Sequence, residues 1–316
     1  MTTWIDTRWD GQHGIGRYAR EIYPRLTVES SPLPVRGATA SGLNAIKRVP
    51  KGLIYSPGYA AFARAERQVM TIHDLIHLQT PWPQRAKYLA FYNAVARPVI
   101  RRAGVVFTVS ETSRRAIAAW LKDPSVEIIN AGLGSSDAFR TDVEAAPADD
   151  PYVMYVGNLR AHKNLRTVLR ALKHLPGAHL RALIPAGEHD EAHAICDRLR
   201  ITDRVQLLAG LSDDDLARQY RGASATVMPS VVEGFGLPPL ESIMTGTPVI
   251  FWEGCSAVAE TVGDDGWAIE DSQDAVEWAD RIEDAVNAHR RVMPQTRTYD
   301  WDATAATIDG VLKRLS

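Results

Sequence analysis

The feature that most constrains this chain is an alternation. Short β-branched or apolar runs recur: WIDT, LIYS, VMTIH, VVFTVS and VEIIN in the first half, then YVMYVG, LRALIPAG, VQLLAG, ATVMPS and PVIFW in the second. Helical patterns lie between them, among them Gly16–Leu26, Leu165–His174, Asp213–Arg221 and Pro239–Thr245. Adjacent parallel strands need a long crossover, usually a helix, so this order predicts parallel sheets built from βαβ units. A length of 316 residues corresponds to about two domains. The polar, small and proline-bearing string TDVEAAPADDP (Thr141 to Pro151) reads as the linker between them. The expected fold class is therefore α/β, with two doubly wound Rossmann-like domains at 1–140 and 152–299, a linker at 141–151 and a cleft between the domains. Ligands of such sheets bind beyond the carboxyl ends of the strands. The last segment, 300–316, reads as one amphipathic helix, because Trp301, Ala305, Ile308, Val311, Leu312 and Leu315 recur at helical spacing.

Charge separates the two halves. Residues 1–140 hold 19 Lys and Arg against 10 Asp and Glu, a balance of +9, and the rest of the chain carries −11. Halves of opposite sign predict different partners. The total of −2 argues against nucleic acid as a partner. Cys196 and Cys255 are the only cysteines and form no CxxC or Cys/His cluster, which argues against a zinc module or a disulfide scaffold. The start, MTTWIDTRWDGQHG, has early charges and no apolar stretch of signal-peptide type, and no run of about 18 apolar residues suggests a membrane span. A cytoplasmic protein is expected.

Four strings carry candidate chemistry. Glu233-Gly-Phe-Gly-Leu-Pro-Pro-Leu-Glu241 follows a strand ending at Pro229 and leads into a helix expected to start near Pro239, with Glu241 in its first turn. Gly234 and Gly236 permit a tight loop, and the helix N-terminus offers amides and a positive dipole end to a phosphate. Glu233 and Glu241 suit hydroxyls on either side of a diphosphate better than the phosphates themselves. Read singly, each is as well explained as a helix-start or exposed loop glutamate. Val156-Gly-Asn-Leu-Arg-Ala-His-Lys-Asn-Leu165 places Lys163 at the mouth of a glycine turn, where it can neutralise a phosphate; the bland reading is a surface lysine. DTRWDGQHGIGRYAR (Asp6–Arg20) is a strand, a loop with Gly11, Gly14 and Gly16, and a helix expected from Arg17. Met70-Thr-Ile-His-Asp-Leu-Ile-His77 ends a strand at His73. Four residues separate His73 from His77, but HDLIH is not HExxH and no third ligand is evident, so no metal is assigned. Asp213-Asp-Asp215 reads as a helix start rather than a metal motif.

The first of these strings resembles the E-x7-E signature of the retaining glycosyltransferase family 4, and the resemblance extends over nearly the whole chain, most strongly from Tyr152 to Val249. It implies a GT-B fold, with the nucleotide-sugar on the C-terminal domain, the acceptor on the N-terminal one, and the final helix crossing back to the first domain. It implies Glu233 for the donor sugar, Gly234, Phe235, Gly236 and Leu237 for the diphosphate, and Glu241 for the ribose. Lys163 matches the lysine that contacts the leaving diphosphate. Many members carry an arginine directly after the glycine; here Asn158 stands there, with Arg160 or His162 nearby to supply the charge. Gly14 and Gly16 match the glycine-rich first loop, His73 the histidine at the donor sugar with Asp74 beside it, and the region of Gly210 and Leu211 the base-selecting backbone.

On that footing the chain is expected to be a metal-independent, cofactor-free hexosyltransferase with His73, Lys163 and Glu233 as catalytic groups. GDP-mannose is the first donor choice and a dTDP-rhamnose-type nucleotide the second, with a glycan or lipid-linked acceptor in polysaccharide biosynthesis. Other classes remain: a non-catalytic sugar-nucleotide-binding protein, or a nucleotide-sugar epimerase. The stretch Pro83–Ala103 interleaves Arg85, Lys87, Arg97, Arg101 and Arg102 with aromatic and aliphatic residues. It fits either an interfacial helix at the anionic inner face of a membrane or a core helix with its aromatics turned inward.

Overall fold

A computed structural model describes residues 2–11, 14–39, 41–79, 85–294 and 299–316. The chain divides into two compact units, Met1–Gly134 with Tyr299–Ser316, and Ser135–Thr298. Both are α/β units with parallel sheets.

In the first unit, β1 (Thr3–Ile5), β2 (Ser30–Pro32), β3 (Leu53–Ser56) and β4 (Arg67–Met70) form a sheet in the order β2-β1-β3-β4. β5 (Val105–Thr108) and β6 (Glu127–Asn130) form a parallel pair, joined to the β4 end by the parallel bridge Thr71–Phe107. β1 sits between strands from both directions of winding, as a doubly wound sheet requires. The helix Gly14–Ile22 starts earlier than its apolar pattern suggests. A Cβ on Gly16 would lie 1.9 Å from the Gly11 carbonyl oxygen, so the loop from β1 can press onto this helix only at a glycine.

The terminal helix Trp301–Leu315 belongs to the first unit. Of its expected apolar positions, Trp301, Ala305, Ile308, Val311 and Leu312 are buried and Leu315 is half-buried. Asp309, on the same helix, accepts from the Thr27 and Val28 amides at 3.0 and 2.7 Å, from the Thr27 hydroxyl, and from Lys313 Nζ at 2.6 Å.

In the second unit, β7 (Tyr152–Val156), β8 (His179–Leu183), β9 (Val205–Leu208), β10 (Ala225–Met228), β11 (Val249–Trp252) and β12 (Gly266–Ile269) lie in the order β12-β11-β10-β7-β8-β9, all parallel. Both faces are covered, which explains why the strand sequences are uninterrupted apolar runs. On β7, Val153 and Tyr155 pack with Trp278, Ile282 and the helix Leu165–Ala171, while Tyr152 and Met154 pack on the other face with Leu216 and Tyr220.

Neither β2 nor β12 was legible in the sequence. Both are edge strands; Ser30, Ser31 and Pro32 of β2 are all exposed, and in β12 only Ile269 is fully buried. The segment expected to be a linker, 141–151, lies inside the second unit. The Ala146 amide donates to the Arg218 carbonyl at 2.8 Å, Arg181 Nη2 donates to Pro147 O at 2.8 Å, and Phe139 stands edge-on to Tyr220.

The basic and aromatic stretch forms the helices Arg85–Phe91 and Arg97–Ala103 around a π-helical turn, Tyr92–Ala96; Pro83 and Gln84 lie outside the described residues. Tyr92, Val99 and Ile100 are buried in the core of the first unit. Arg85 donates to Leu78 O, Arg97 to Trp120 O, Arg102 to Ala63 O and Ala65 O, and Arg101 pairs with Asp123. Tyr88, Leu89, Phe91 and Val95 pack against this core only in part, and four of the cations are engaged by the unit itself. Among the described residues no helix is long and apolar enough to cross a membrane.

Candidate active site

Strand order places the site in the second unit. β8 and β9 run outward from β7 on one side, β11 and β12 outward from β10 on the other, so winding reverses between the neighbours β7 and β10. The loops leaving their carboxyl ends diverge there and leave a crevice, the usual ligand position of an open parallel sheet. The two strongest sequence motifs are those two loops.

The loop after β7 turns at Gly157, where a Cβ would lie 2.4 Å from the Tyr155 hydroxyl oxygen. Tyr155 donates to the Asn158 carbonyl at 2.8 Å, the Asn158 side-chain oxygen accepts from the Arg160 amide at 3.1 Å, and Glu188 accepts from the Leu159 amide at 2.6 Å. A 3-10 turn, Ala161–Lys163, follows, and Asn164 sits in the left-handed region (φ 52°) with its side-chain amide donating to Ser272 O. That fixes the exit of Lys163. Asn158 is thus a turn residue whose carbonyl and side chain are both engaged locally, and Arg160 is exposed.

The loop after β10 runs from Pro229 to Gly236. Gly234, Phe235 and Gly236 are buried, and Gly236 takes φ 108°, a conformation that favours glycine. The helix that follows is Leu237–Met244. It begins two residues before the expected Pro239, because both prolines fit its first turn, where their missing N–H groups are not needed. Glu241 is therefore its fifth residue rather than part of its first turn. Its carboxylate is buried, 4% exposed, and accepts from the Tyr220 hydroxyl at 3.2 Å.

The two loops are bound to each other. The Val231 amide donates to the His162 carbonyl at 2.8 Å, and Lys163 Nζ meets Glu233 Oε1 at 2.6 Å. Side-chain exposures of 18% and 11% put this ion pair largely out of water, where Coulomb attraction is weakly screened. Cys255 packs against Glu233, and its thiol is pushed up to about 12, chiefly by burial and further by the Glu233 carboxylate. Gly210 and Leu211 follow β9, the outermost strand, two strands or about 10 Å from β7. The structure thus brings Lys163, Glu233 and the Gly234–Leu237 backbone together and leaves Gly210 and Leu211 at the flank. Asp213, Asp214 and Asp215 fill the first turn of a helix capped by Ser212.

In the first unit, His73 follows β4. Its Nε2 lies 2.9 Å from Pro57 O, its ring stands edge-on to Tyr18 at 4.8 Å, and Ser113 Oγ donates to its carbonyl at 2.7 Å. Asp74 accepts from the Ile76 amide and starts a short helical turn. His77 stacks on Tyr88 at 4.3 Å. Gly14 is exposed and Gly16 buried on the first helix. Among the described residues no three His, Cys, Asp or Glu converge as a metal site.

Sequence reasoning missed three supporting groups: Tyr220 beneath Glu241, Glu188 on the β7 loop, and Asp6 with Arg8. Asp6 is fully buried at the end of β1 and holds Arg8 through two hydrogen bonds of 2.6 and 2.7 Å, and Arg8 Nη1 reaches Asn44 Oδ1 at 3.0 Å. The D-x-R spacing was visible, but a two-residue motif does not distinguish this clamp from an exposed turn.

Comparison with known proteins supplies the remaining findings. Residues 138–299 match the model of the family described as glycosyl transferases group 1. Over 291 residues the chain is 29% identical to the O-antigen chain mannosyltransferase B of Escherichia coli, covering 81% of this chain and 73% of that one. It is 32% identical over 206 residues to a D-inositol 3-phosphate glycosyltransferase of Mycolicibacterium smegmatis, covering 61% of this chain but only 46% of that relative. Among solved structures, sucrose-phosphate synthase from Thermosynechococcus elongatus aligns with a TM-score of 0.77 at 17% identity, covering 99% and 98% of the two chains. WaaG, described as a glycosyltransferase involved in lipopolysaccharide biosynthesis, aligns with a TM-score of 0.66 at 14% identity, covering 98% and 95%.

Proposed function

The chain belongs to the glycosyl transferases of group 1 and has the GT-B fold, and from that premise we propose that it moves mannose from GDP-mannose to a glycan or lipid-linked acceptor in polysaccharide biosynthesis, with retention at the anomeric carbon. The observation that carries this reading is the pairing of Lys163 with Glu233 at the reversal point of the second sheet, in front of the helix Leu237–Met244. The choice of mannose is supported by the relative named an O-antigen chain mannosyltransferase.

The roles follow from charge. Breaking the glycosyl–phosphate bond leaves negative charge on the diphosphate. The Gly234–Leu237 amides, the helix N-terminus and Lys163 meet that charge without a metal. Glu233 holds sugar hydroxyls and Glu241 the ribose, as in the E-x7-E family. Arriving donor must draw Lys163 from its 2.6 Å contact toward phosphate and leave Glu233 for hydroxyls. The acceptor oxygen attacks C1 from the face of the departing phosphate; the C1–O bond to phosphate breaks as the bond to the acceptor forms, and the phosphate oxygen takes the acceptor proton. The protein works on the cytoplasmic side, at the inner face of the membrane when its acceptor is lipid-linked.

A thermal-shift panel of nucleoside diphosphates, followed by NMR of the product anomer, tests this. GDP should raise Tm most, because a ligand stabilises only the folded state that binds it. An inverted anomer, or a preference for UDP or dTDP, would overturn retention or the donor assignment respectively. A binding protein would shift Tm without turnover, and an epimerase would convert donor without acceptor.

A further inference from the structure

Away from the motifs, the first unit contains a pocket of about 300 Å³. Tyr59, Tyr88, Ala90, Phe91, Ala94 and Val95 make most of its wall aromatic or methyl surface, and Thr39, Ser41, Gly42 and Lys87 complete it. The aromatic wall is braced from behind. Tyr88 lies 6.4 Å from Tyr59 and 4.3 Å from His77, and Tyr59 lies 6.2 Å from Tyr92. Ala94 and Val95 reach the pocket from the π-helical turn Tyr92–Ala96, a rare conformation that occurs frequently at functional sites.

Two further observations bear on the occupant. The 3-10 helix Gly42–Ile46 starts at a residue of the pocket wall and leaves Leu43 and Ile46 65% and 67% exposed. Lys87 also lines the pocket. Its four basic companions on the same stretch are engaged by backbone carbonyls or Asp123, whereas Lys87 has no hydrogen-bond or ion-pair partner among the described residues.

A wall this largely apolar, with Thr39, Ser41 and Lys87 as minority polar members, suits a hydrocarbon chain better than a sugar. A flat bilayer would not fill a recess, and most of the cations it would need are already engaged. We propose that the pocket seats the aliphatic chain of an anionic lipid, with its headgroup at Lys87, and that this lipid is the acceptor. Identifying the lipid as acceptor rests on the proposed transfer; chain binding does not. The wall also adjoins the HDLIH segment. His77 of that segment lies 5.9 Å from Tyr59, edge-on, and 4.3 Å from Tyr88.

The test titrates the full chain with dodecyl phosphate below its micelle concentration, by calorimetry, with inorganic phosphate and phosphatidylglycerol vesicles as comparison ligands. Saturable one-to-one binding of dodecyl phosphate is expected, at least 100-fold tighter than inorganic phosphate. Ala94→Trp fills the recess from an exposed position, so it should weaken chain binding at least tenfold with Tm unchanged. Lys87→Met should weaken it several-fold and leave dodecanol binding as it was. Equal affinity in Ala94→Trp, binding of inorganic phosphate as tight as the lipid, or binding confined to vesicles and blind to Ala94→Trp would each overturn the pocket. The nucleotide panel on Ala94→Trp separates the two readings. If GDP shifts Tm normally while chain binding is lost, both stand. If no nucleotide shifts Tm but dodecyl phosphate binds with this variant pattern, the pocket stands and the acceptor assignment falls.

Discussion

Lys163 and Glu233 lie 70 residues apart in sequence and touch at 2.6 Å, each at the tip of a loop leaving one of two neighbouring strands. The pair holds the ammonium and the carboxylate at the crevice before any donor is present. Removing either partner leaves the other charge unmatched, which costs more than the pair itself contributes.

Lys163→Ala and Glu233→Ala should each lose ~10²–10³ in turnover, the usual effect of deleting one group that stabilises transition-state charge. Both side chains are on loops outside the apolar clusters, so far-UV spectra should stay those of the parent, while the charge left unmatched should lower Tm by several degrees. Steady-state assays beside thermal melts check this; turnover within a factor of three in both variants would remove them from the mechanism.

Tyr220→Phe keeps the buried ring and removes the hydroxyl that donates to Glu241. A bond of this kind is worth about 1 kcal/mol, so nucleotide affinity should fall roughly fivefold. Turnover at saturating donor should be unchanged. A fall in kcat with no change in nucleotide affinity would place Tyr220 elsewhere in the mechanism.

Turnover should survive EDTA, because the diphosphate charge is met by amides and Lys163. Loss of activity on chelation, with recovery on adding Mg²⁺ or Mn²⁺, would show that a metal takes that role.

Asp309 ties the terminal helix to the first unit. Burial alone would push its carboxyl up, but Lys313, the Thr27 hydroxyl and the Thr27 and Val28 amides outweigh that and hold it below the usual carboxylate range. A carboxyl depressed in the folded state adds stability above its unfolded value of about 3.9, and this is lost as pH falls through the folded value. Asp309→Asn should therefore lower Tm at pH 7 and flatten the decline of Tm below about pH 4. An unchanged acid limb in this variant would show that other carboxylates control it.

Gly14 and Gly16 should separate sharply. Among the described residues nothing lies within 4 Å of a Cβ on Gly14, whereas on Gly16 it would meet the Gly11 carbonyl at 1.9 Å. Gly14→Ala should leave Tm within a degree or two. Gly16→Ala should destabilise by about 1–3 kcal/mol, since backbone rather than a side chain must move. Chemical denaturation of the two variants side by side decides.

The sequence by itself determined the strand–helix alternation, hence parallel sheets, and it placed the glycine loops at strand ends, hence the candidate site. Those properties are local: period, turn residues and helix starts are written in consecutive positions. Edge strand β2 stayed hidden because an exposed strand carries no buried pattern, and β12 because only one of its four residues, Ile269, is fully buried. The inclusion of 141–151 in the second unit depends on Ala146 and Phe139 meeting partners more than 70 residues away. Glu241 was legible as a functional letter, but Tyr220 beneath it was not, because that contact exists only once two helices pack. The same holds for Lys163 and Glu233. Each loop announced a charge, and only the pairing of β7 with β10 decided that the two charges meet, because strand neighbours are chosen by the burial of both sheet faces and not by nearness in sequence.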